Sequence, residues 1–384
     1  MGFTAWGGLF ATLFNLYLLR LDYSPAVIGT INAFGSLAFG VFCLPAGWIG
    51  SRRGNRRAMV AGLAGIGISQ FLLAQALLVP ESARYGWLIT TNVMGALGAS
   101  FFAVNAGPYL MGVAATGTRS YVFSAQVAVT PLGAFAGSLL GGFLPGLFAL
   151  AFGLTPDGPQ AYRLALMVSA ACLAPAALAM ALAKDGGAAR ESVAPTESGP
   201  APWGFILLMA AILALQVSSE GAIRTFFNVY LDDGLGVPTA RIGMMASIGS
   251  LTAGLAALFT PLLIARMGIS RSFVTMSLCM AALMLPIALI SWAPAAGLSY
   301  AGVIGAASMA RPAMNIYLME GVSARWRSAI AAGATLSVGA SWAAVAALGG
   351  VLIVRSGYSA MFLSAAGLSA AGALLFATYR RFSR

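Results

Sequence analysis

From Gly2 to Thr378 the chain is a succession of apolar runs, each long enough to cross a bilayer, separated by short polar breaks. The runs fall at 2–19, 27–50, 58–79, 87–111, 121–150, 161–183, 203–231, 239–264, 272–293, 297–319, 328–354 and 358–379. A spanning helix needs roughly 20 apolar residues, whereas a strand of a membrane barrel needs only about 9–11. Only 8% of the residues are charged, against about 25% in a soluble domain. A water-facing surface cannot be built from so few charges, so lipid is the solvent. In lipid, backbone polar groups must be satisfied within the chain, which these long runs do as α-helices. The expectation is an all-α membrane protein with twelve transmembrane helices.

One segment departs from this pattern. Lys184 to Pro202 is polar and rich in Ser, Pro and Gly, with six runs on each side. It reads as a linker at 184–202 between an N-terminal bundle, 1–183, and a C-terminal bundle, 203–384. The two parts repeat each other. Phe14-Asn15-Leu16-Tyr17-Leu18 matches Phe227-Asn228-Val229-Tyr230-Leu231, and Ile28-Gly29 matches Ile242-Gly243. Arg52, Gly54 and Arg57 match Arg266, Gly268 and Arg271, and Tyr109-Leu110-Met111 matches Tyr317-Leu318-Met319. Parallel six-helix repeats are a transporter architecture.

The net charge of +11 is first a matter of topology. Alternate breaks on one side collect most of the basic residues, including Arg52, Arg53, Arg56, Arg57, Arg266 and Arg271, while the other side holds only Arg20, Arg84, Arg163, Arg241 and Arg355. The positive-inside rule places the first side, both termini and the linker in the cytoplasm of a cell membrane. The basicity therefore needs no nucleic-acid partner. The partners implied are the lipid bilayer, a small-molecule substrate and a proton or other ion, with the chain acting as a monomer.

Several chemistries have no residues to carry them. There is no histidine, and Cys43, Cys172 and Cys279 stand singly in apolar runs. No thiolate or imidazole metal site is indicated, and no catalytic pair, metal or cofactor. A Gly-x-x-x-x-Gly-Lys-Ser/Thr phosphate loop is absent too. The reading is not an enzyme, and its energy comes from a solute or ion gradient.

The break Gly47-Trp48-Ile49-Gly50-Ser51-Arg52-Arg53-Gly54-Asn55-Arg56-Arg57 resembles the signature loop between spans 2 and 3 of the major facilitator superfamily, Gly-x-Leu-x-Asp-Arg-x-Gly-Arg-Arg/Lys. A weaker copy, Pro261 to Arg271, lies where that family carries its second loop. The resemblance covers the whole chain. It implies two pseudo-symmetric six-helix bundles and an inner gate built from Gly47, Ser51, Arg52, Gly54, Arg57, Arg266, Gly268 and Arg271. Glu320 and Arg327 resemble the family's Glu-x6-Arg at the inner end of span 10. Arg119 is their first-half counterpart, with Gly112 where the acid would stand. The family's loop aspartates are replaced by Ser51 and Ala265. In span 5, Gly137-Ser138-Leu139-Leu140-Gly141-Gly142 is open to two readings: a packing face, or a degenerate form of the Gly-Pro-x-x-Gly-Gly of proton-linked exporters.

Three charges lie well inside the runs: Glu220, Arg224 and Arg311. Each would cost about 2.5–3.5 kcal/mol at the bilayer centre if it faced lipid, so they face protein or a water-filled cavity. Gln216, Glu220, Arg224 and Asn228 recur every four residues along span 7, which puts neighbours on one helix face. Arg311 and Asn315 share a face of span 10 beside Pro312. The resemblance implies that spans 1, 4, 7 and 10 line the transport path, which adds Asn15 and Asn105. The expected substrate contacts are Arg311, Asn315, Asn15, Asn105, Asn228 and Gln216, with Glu220 and Arg224 in proton coupling. Two arginines and one glutamate leave a net positive site, which favours an anionic or amphiphilic organic solute. The alternative is a proton-linked exporter of amphiphilic compounds; a lipid flippase or membrane enzyme is the more remote reading.

Overall fold

The computed structural model describes residues 1–5, 7–114, 118–185, 203–323 and 326–382, and their regular structure is helical. The helices are α1 (Leu9–Arg20), α2 (Pro25–Arg53), α3 (Asn55–Ala74), α4 (Glu81–Val113), α5 (Arg119–Phe152), α6 (Pro159–Ala171) and α7 (Leu173–Leu182). They continue as α8 (Trp203–Gln216), α9 (Ser218–Val229), α10 (Thr239–Met267), α11 (Ile269–Leu283), α12 (Leu285–Leu289), α13 (Ala293–Glu320) and α14 (Arg327–Phe382). Among the described residues, nine helical stretches are long and apolar enough to cross a membrane, and α1 is an apolar helix of 12 residues.

Turn chemistry sets many boundaries. Pro25 opens α2 at a position where its missing N–H costs nothing. Gly54 (φ 97°) and Gly268 (φ 77°) make the matching tight turns α2–α3 and α10–α11, a backbone conformation that side-chain-bearing residues avoid. Four runs behave differently from expectation. The run at 2–19 becomes helical only at Leu9, because Gly7 turns at φ 85° and Leu9 N–H bonds back to Phe3 at 2.8 Å. The run at 161–183 divides into α6 and α7 ahead of Pro175, and the run at 272–293 divides into α11 and α12 ahead of Pro286. The run at 203–231 divides at Val217. There the hydroxyls of Ser218, Ser341 and Ser369 take the carbonyls of Ala214 and Gln216. Between 354 and 358 the expected loop shrinks to one residue, Gly357 at φ 83°, inside α14.

Small residues bring the two parts of the chain together. α2 packs along α14, and α5 along α10. A Cβ on Gly29 would sit 2.1 Å from the Ala346 carbonyl oxygen; one on Gly243, its repeat mate, would sit 2.5 Å from Gly142 Cα. Gly142 belongs to the glycine run of span 5, and a Cβ on Gly137 of the same run would lie 1.9 Å from Phe3 O. That run is thus a packing face. Without a hydrophobic drive between helices in lipid, such close approach supplies the van der Waals contact that holds them. Gly29→Leu is expected to lower stability by about 1–3 kcal/mol through overpacking, read as a lower unfolding midpoint in detergent.

Candidate functional site

Glu220 on α9 is 2% exposed and takes both cations. Arg224, one turn on, donates Nε–H to Oε1 at 2.8 Å. Arg311 of α13 donates from Nη2 to Oε1 at 2.5 Å and to Oε2 at 2.6 Å. The i, i+4 spacing makes the first contact local, whereas the second needs α9 and α13 to lie side by side. The acid and the bases differ in access. The Arg311 side chain is 53% exposed and that of Arg224 34%. The carboxylate therefore anchors two guanidiniums from behind and leaves donors of each turned to open space. Asn315, one turn beyond Arg311, is exposed on the same helix.

Two aromatic residues complete this region. Tyr300 stacks on Phe227 with ring centroids 4.2 Å apart. The Trp342 ring lies 5.9 Å from Arg224 Cζ. Gly221 leaves room for that indole, since a Cβ there would come within 2.8 Å of Trp342 Cδ1. Trp342 Nε1 is buried without a hydrogen-bond partner among the described residues. Tyr300 was findable, because eleven residues before Arg311 is three helical turns on one face. Nothing local marks Trp342, which arrives from a distant helix.

The other polar residues expected on the path have their amides committed elsewhere. Gln216 is buried, with Nε2 against Met280 Sδ at 3.3 Å, so it fastens α8 to α11. Asn105 is 1% exposed and donates to Ala46 O at 3.2 Å and Phe101 O at 2.8 Å, clamping α4 to α2. Asn15 donates to Thr225 O at 2.7 Å and accepts from Asn32 Nδ2 at 2.8 Å. Asn228 donates to Thr12 O at 3.0 Å and Ala11 O at 3.3 Å. In this conformation these four amides fasten helices to one another. Asn15 and Asn228 do something more specific. One offset separates Asn15 from Asn228 and Thr12 from Thr225, so the repeated Phe-Asn-x-Tyr-Leu segments exchange equivalent bonds across the two halves.

Arg20 completes that end of the molecule. It grips Asp232 with two bonds of 2.6 Å, and Tyr162 meets Thr239 at 2.5 Å. Between described residues, every hydrogen bond and ion pair joining 1–185 to 203–382 lies in this group. At the opposite end the residues assigned to an inner gate stay within their own half. Ser51 Oγ donates to Trp48 O at 2.8 Å, and Arg52 Cζ lies 4.2 Å from the Trp48 ring centroid. A Cβ on Gly47 would touch Val104, while one on Gly54 or Gly268 would meet no described residue within 4 Å. Arg57, Arg266 and Arg271 are exposed. Arg327 donates to Met319 O at 3.2 Å and makes no ion pair with Glu320. The Arg119 side chain lies outside the described residues. Among the described residues, the polar bonds joining the two parts of the chain are thus gathered at the Arg20 end.

Comparison with known proteins agrees with this architecture. A mutant of the nucleoside transporter NupG superposes with a TM-score of 0.73 at 15% identity, covering 97% of this chain and 95% of its own. A D-xylose–proton symporter superposes at 0.72 and 15%, covering 95% and 92%. A bacterial homologue of the human lysosomal transporter Spinster, in an inward-facing conformation, superposes at 0.70 and 14%, covering 96% and 92%. At such identities the likeness is one of fold. No functionally curated sequence matches. The family model of the Major Facilitator Superfamily matches residues 1–346, most of the length. On that match, and with the transporter fold beside it, the chain belongs to the major facilitator superfamily.

Proposed function

We propose that this protein is a secondary transporter of a small organic anion, working by alternating access and coupled to protons. The observation that carries the reading is the pairing of two partly exposed guanidiniums with one buried carboxylate, Glu220. The trio has a net positive charge, and a guanidinium takes carboxylate, phosphate or sulfate through two parallel bonds. In this reading two bundles, 1–183 and 203–384, joined by the linker 184–202, rock about a central site, with twelve crossings in all. The helices support this count when α6 with α7, α8 with α9, and α11 with α12 are each taken as one crossing and α14 as two. The arginine-rich end is assigned to the cytoplasm, as are both termini, in the cell membrane. On that assignment the bonded Arg20 end faces outward.

A substrate anion would compete with Glu220 for Arg311. The displaced carboxylate, less well paired, becomes the proton acceptor, which links substrate to proton without a histidine. Asn315 supplies a polar contact beside the anion. A second reading, an exporter of amphiphilic cations, is favoured by Tyr300 and Trp342 lying beside an acid. Both Glu220 oxygens are already engaged by arginines, which leaves little for a cationic substrate.

Uptake into proteoliposomes under an imposed pH gradient tests the proposal. Arg311→Lys keeps the charge but loses the planar fork, and should weaken anion transport at least tenfold. Glu220→Gln should retain substrate exchange while losing accumulation driven by the gradient. If both variants transport like wild type, the trio is structural. Cationic drugs that protect the protein while anions do not would select the exporter.

A further inference from the structure

A cavity of about 400 Å³ lies away from the charged trio, between the start of α11 and the end of α14. Three arginines line it, Arg271, Arg380 and Arg381, over an apolar base of Met267, Val274 and Ala377. None of the three makes an ion pair with a described residue. Arg271 sits in the first turn of α11, where unbonded backbone N–H groups also favour negative charge. Arg380 and Arg381 end the final membrane-spanning helix. These are the depths at which apolar helix gives way to water, the level of phospholipid headgroups.

The repeat provides an internal reference. In the first half the equivalent corner lies between the start of α3 and the end of α7. There Arg57, the repeat mate of Arg271, is exposed, but its neighbour Arg56 is neutralised: it pairs with Asp185 at 2.7 Å and donates to the carbonyls of Ala181 and Ala183 at 3.0 and 2.7 Å. In the second half Arg271, Arg380 and Arg381 line a cavity together, and no carboxylate of a described residue pairs with them. Three like charges lining one cavity repel one another, and an anion from outside the chain relieves that repulsion.

The geometry points to a binding site for the phosphate of an anionic phospholipid from the leaflet at the arginine-rich end. The arginines hold the phosphate, while Met267, Val274 and Ala377 meet the glycerol and upper acyl region. Lipid is favoured over a free anion because the charged rim adjoins an apolar base at headgroup depth, a combination a soluble phosphate cannot use.

The test is thermal unfolding of the full-length protein, delipidated in detergent, with phosphatidylglycerol, phosphatidylcholine or inorganic phosphate added. A ligand that binds only the folded state raises the midpoint. Phosphatidylglycerol should raise it, while phosphatidylcholine at equal concentration and millimolar inorganic phosphate should not. Arg271→Gln, Arg380→Gln and Arg381→Gln should each weaken the phosphatidylglycerol response roughly fivefold in apparent affinity. Thr275→Glu places a carboxylate in the cavity, as Asp185 does in the first half. It should leave the lipid-free midpoint unchanged or higher and abolish the response. Arg56→Gln should leave the response intact. An equal response to phosphatidylcholine, or a full response in the Thr275→Glu protein, would overturn the site. An equal response to inorganic phosphate would make it a soluble-anion site and overturn the lipid assignment.

Discussion

Replacing Arg224 and Arg311 together by methionine is expected to cost about 3–5 kcal/mol of stability, because it strands a buried carboxylate. Glu220 is 2% exposed and both of its oxygens are held by these two side chains. Removing one arginine should cost far less, since the other still neutralises the acid. Adding Glu220→Gln to the double variant should restore most of the loss, as an amide needs no counter-charge. Glu220→Gln alone should also be mild, because both guanidiniums reach open space and can be solvated there. The measurement is the unfolding midpoint of the four proteins in one detergent. A double variant as stable as wild type would mean that Glu220 finds water or another partner, and that the arginines are not what keeps it buried.

The second large effect concerns the fastened end. Asn15→Ala with Asn228→Ala removes the reciprocal pair of amide-to-carbonyl bonds between the halves. At about 1 kcal/mol for each neutral bond, the pair should shift the equilibrium toward the form open at this end by about 2 kcal/mol, roughly thirtyfold. Spin labels on Ser24→Cys and Ser356→Cys, exposed on opposite halves at that end, would report a longer distance population. Each single variant should give about a fivefold shift. If the distance distribution of the double variant matches that of wild type, the closure rests on Arg20 and Asp232 with the glycine seams, and the amides are passengers.

Much of this molecule was legible before any coordinates, for a simple reason. Lipid forces backbone satisfaction within helices, so run length and composition decide secondary structure directly. Glu220 and Arg224 were legible as a pair because a four-residue spacing on a helix is geometry. That Arg311 joins them depends on which helices adjoin, and the charge cost only implied some partner. The asparagines show where such reading stops. A buried amide on an inward helix face points either into a cavity or at the neighbouring backbone, and a rotation of less than a quarter turn separates the two. Asn105 and Gln216 took the second course, and Asn315 alone of the expected amides stands open. Glu320 and Arg327 fit the spacing of the family's pair, yet Arg327 donates to the carbonyl of Met319. Trp342 left no local trace because its importance comes from Gly221, a missing side chain on another helix.

The exchanged bonds of Asn15 and Asn228 have a bearing on descent. Each acceptor is a main-chain carbonyl, which every residue possesses whatever its side chain. Only the donor has to be specified, once per repeat. A gene encoding a single half would already have carried both the donor and the acceptor. Two copies of that ancestor, meeting face to face about a two-fold axis, would have closed with the same two bonds. Duplication and fusion then preserve the contact without any new mutation, and later divergence is constrained at two asparagines while the residues that supply the carbonyls are free to drift.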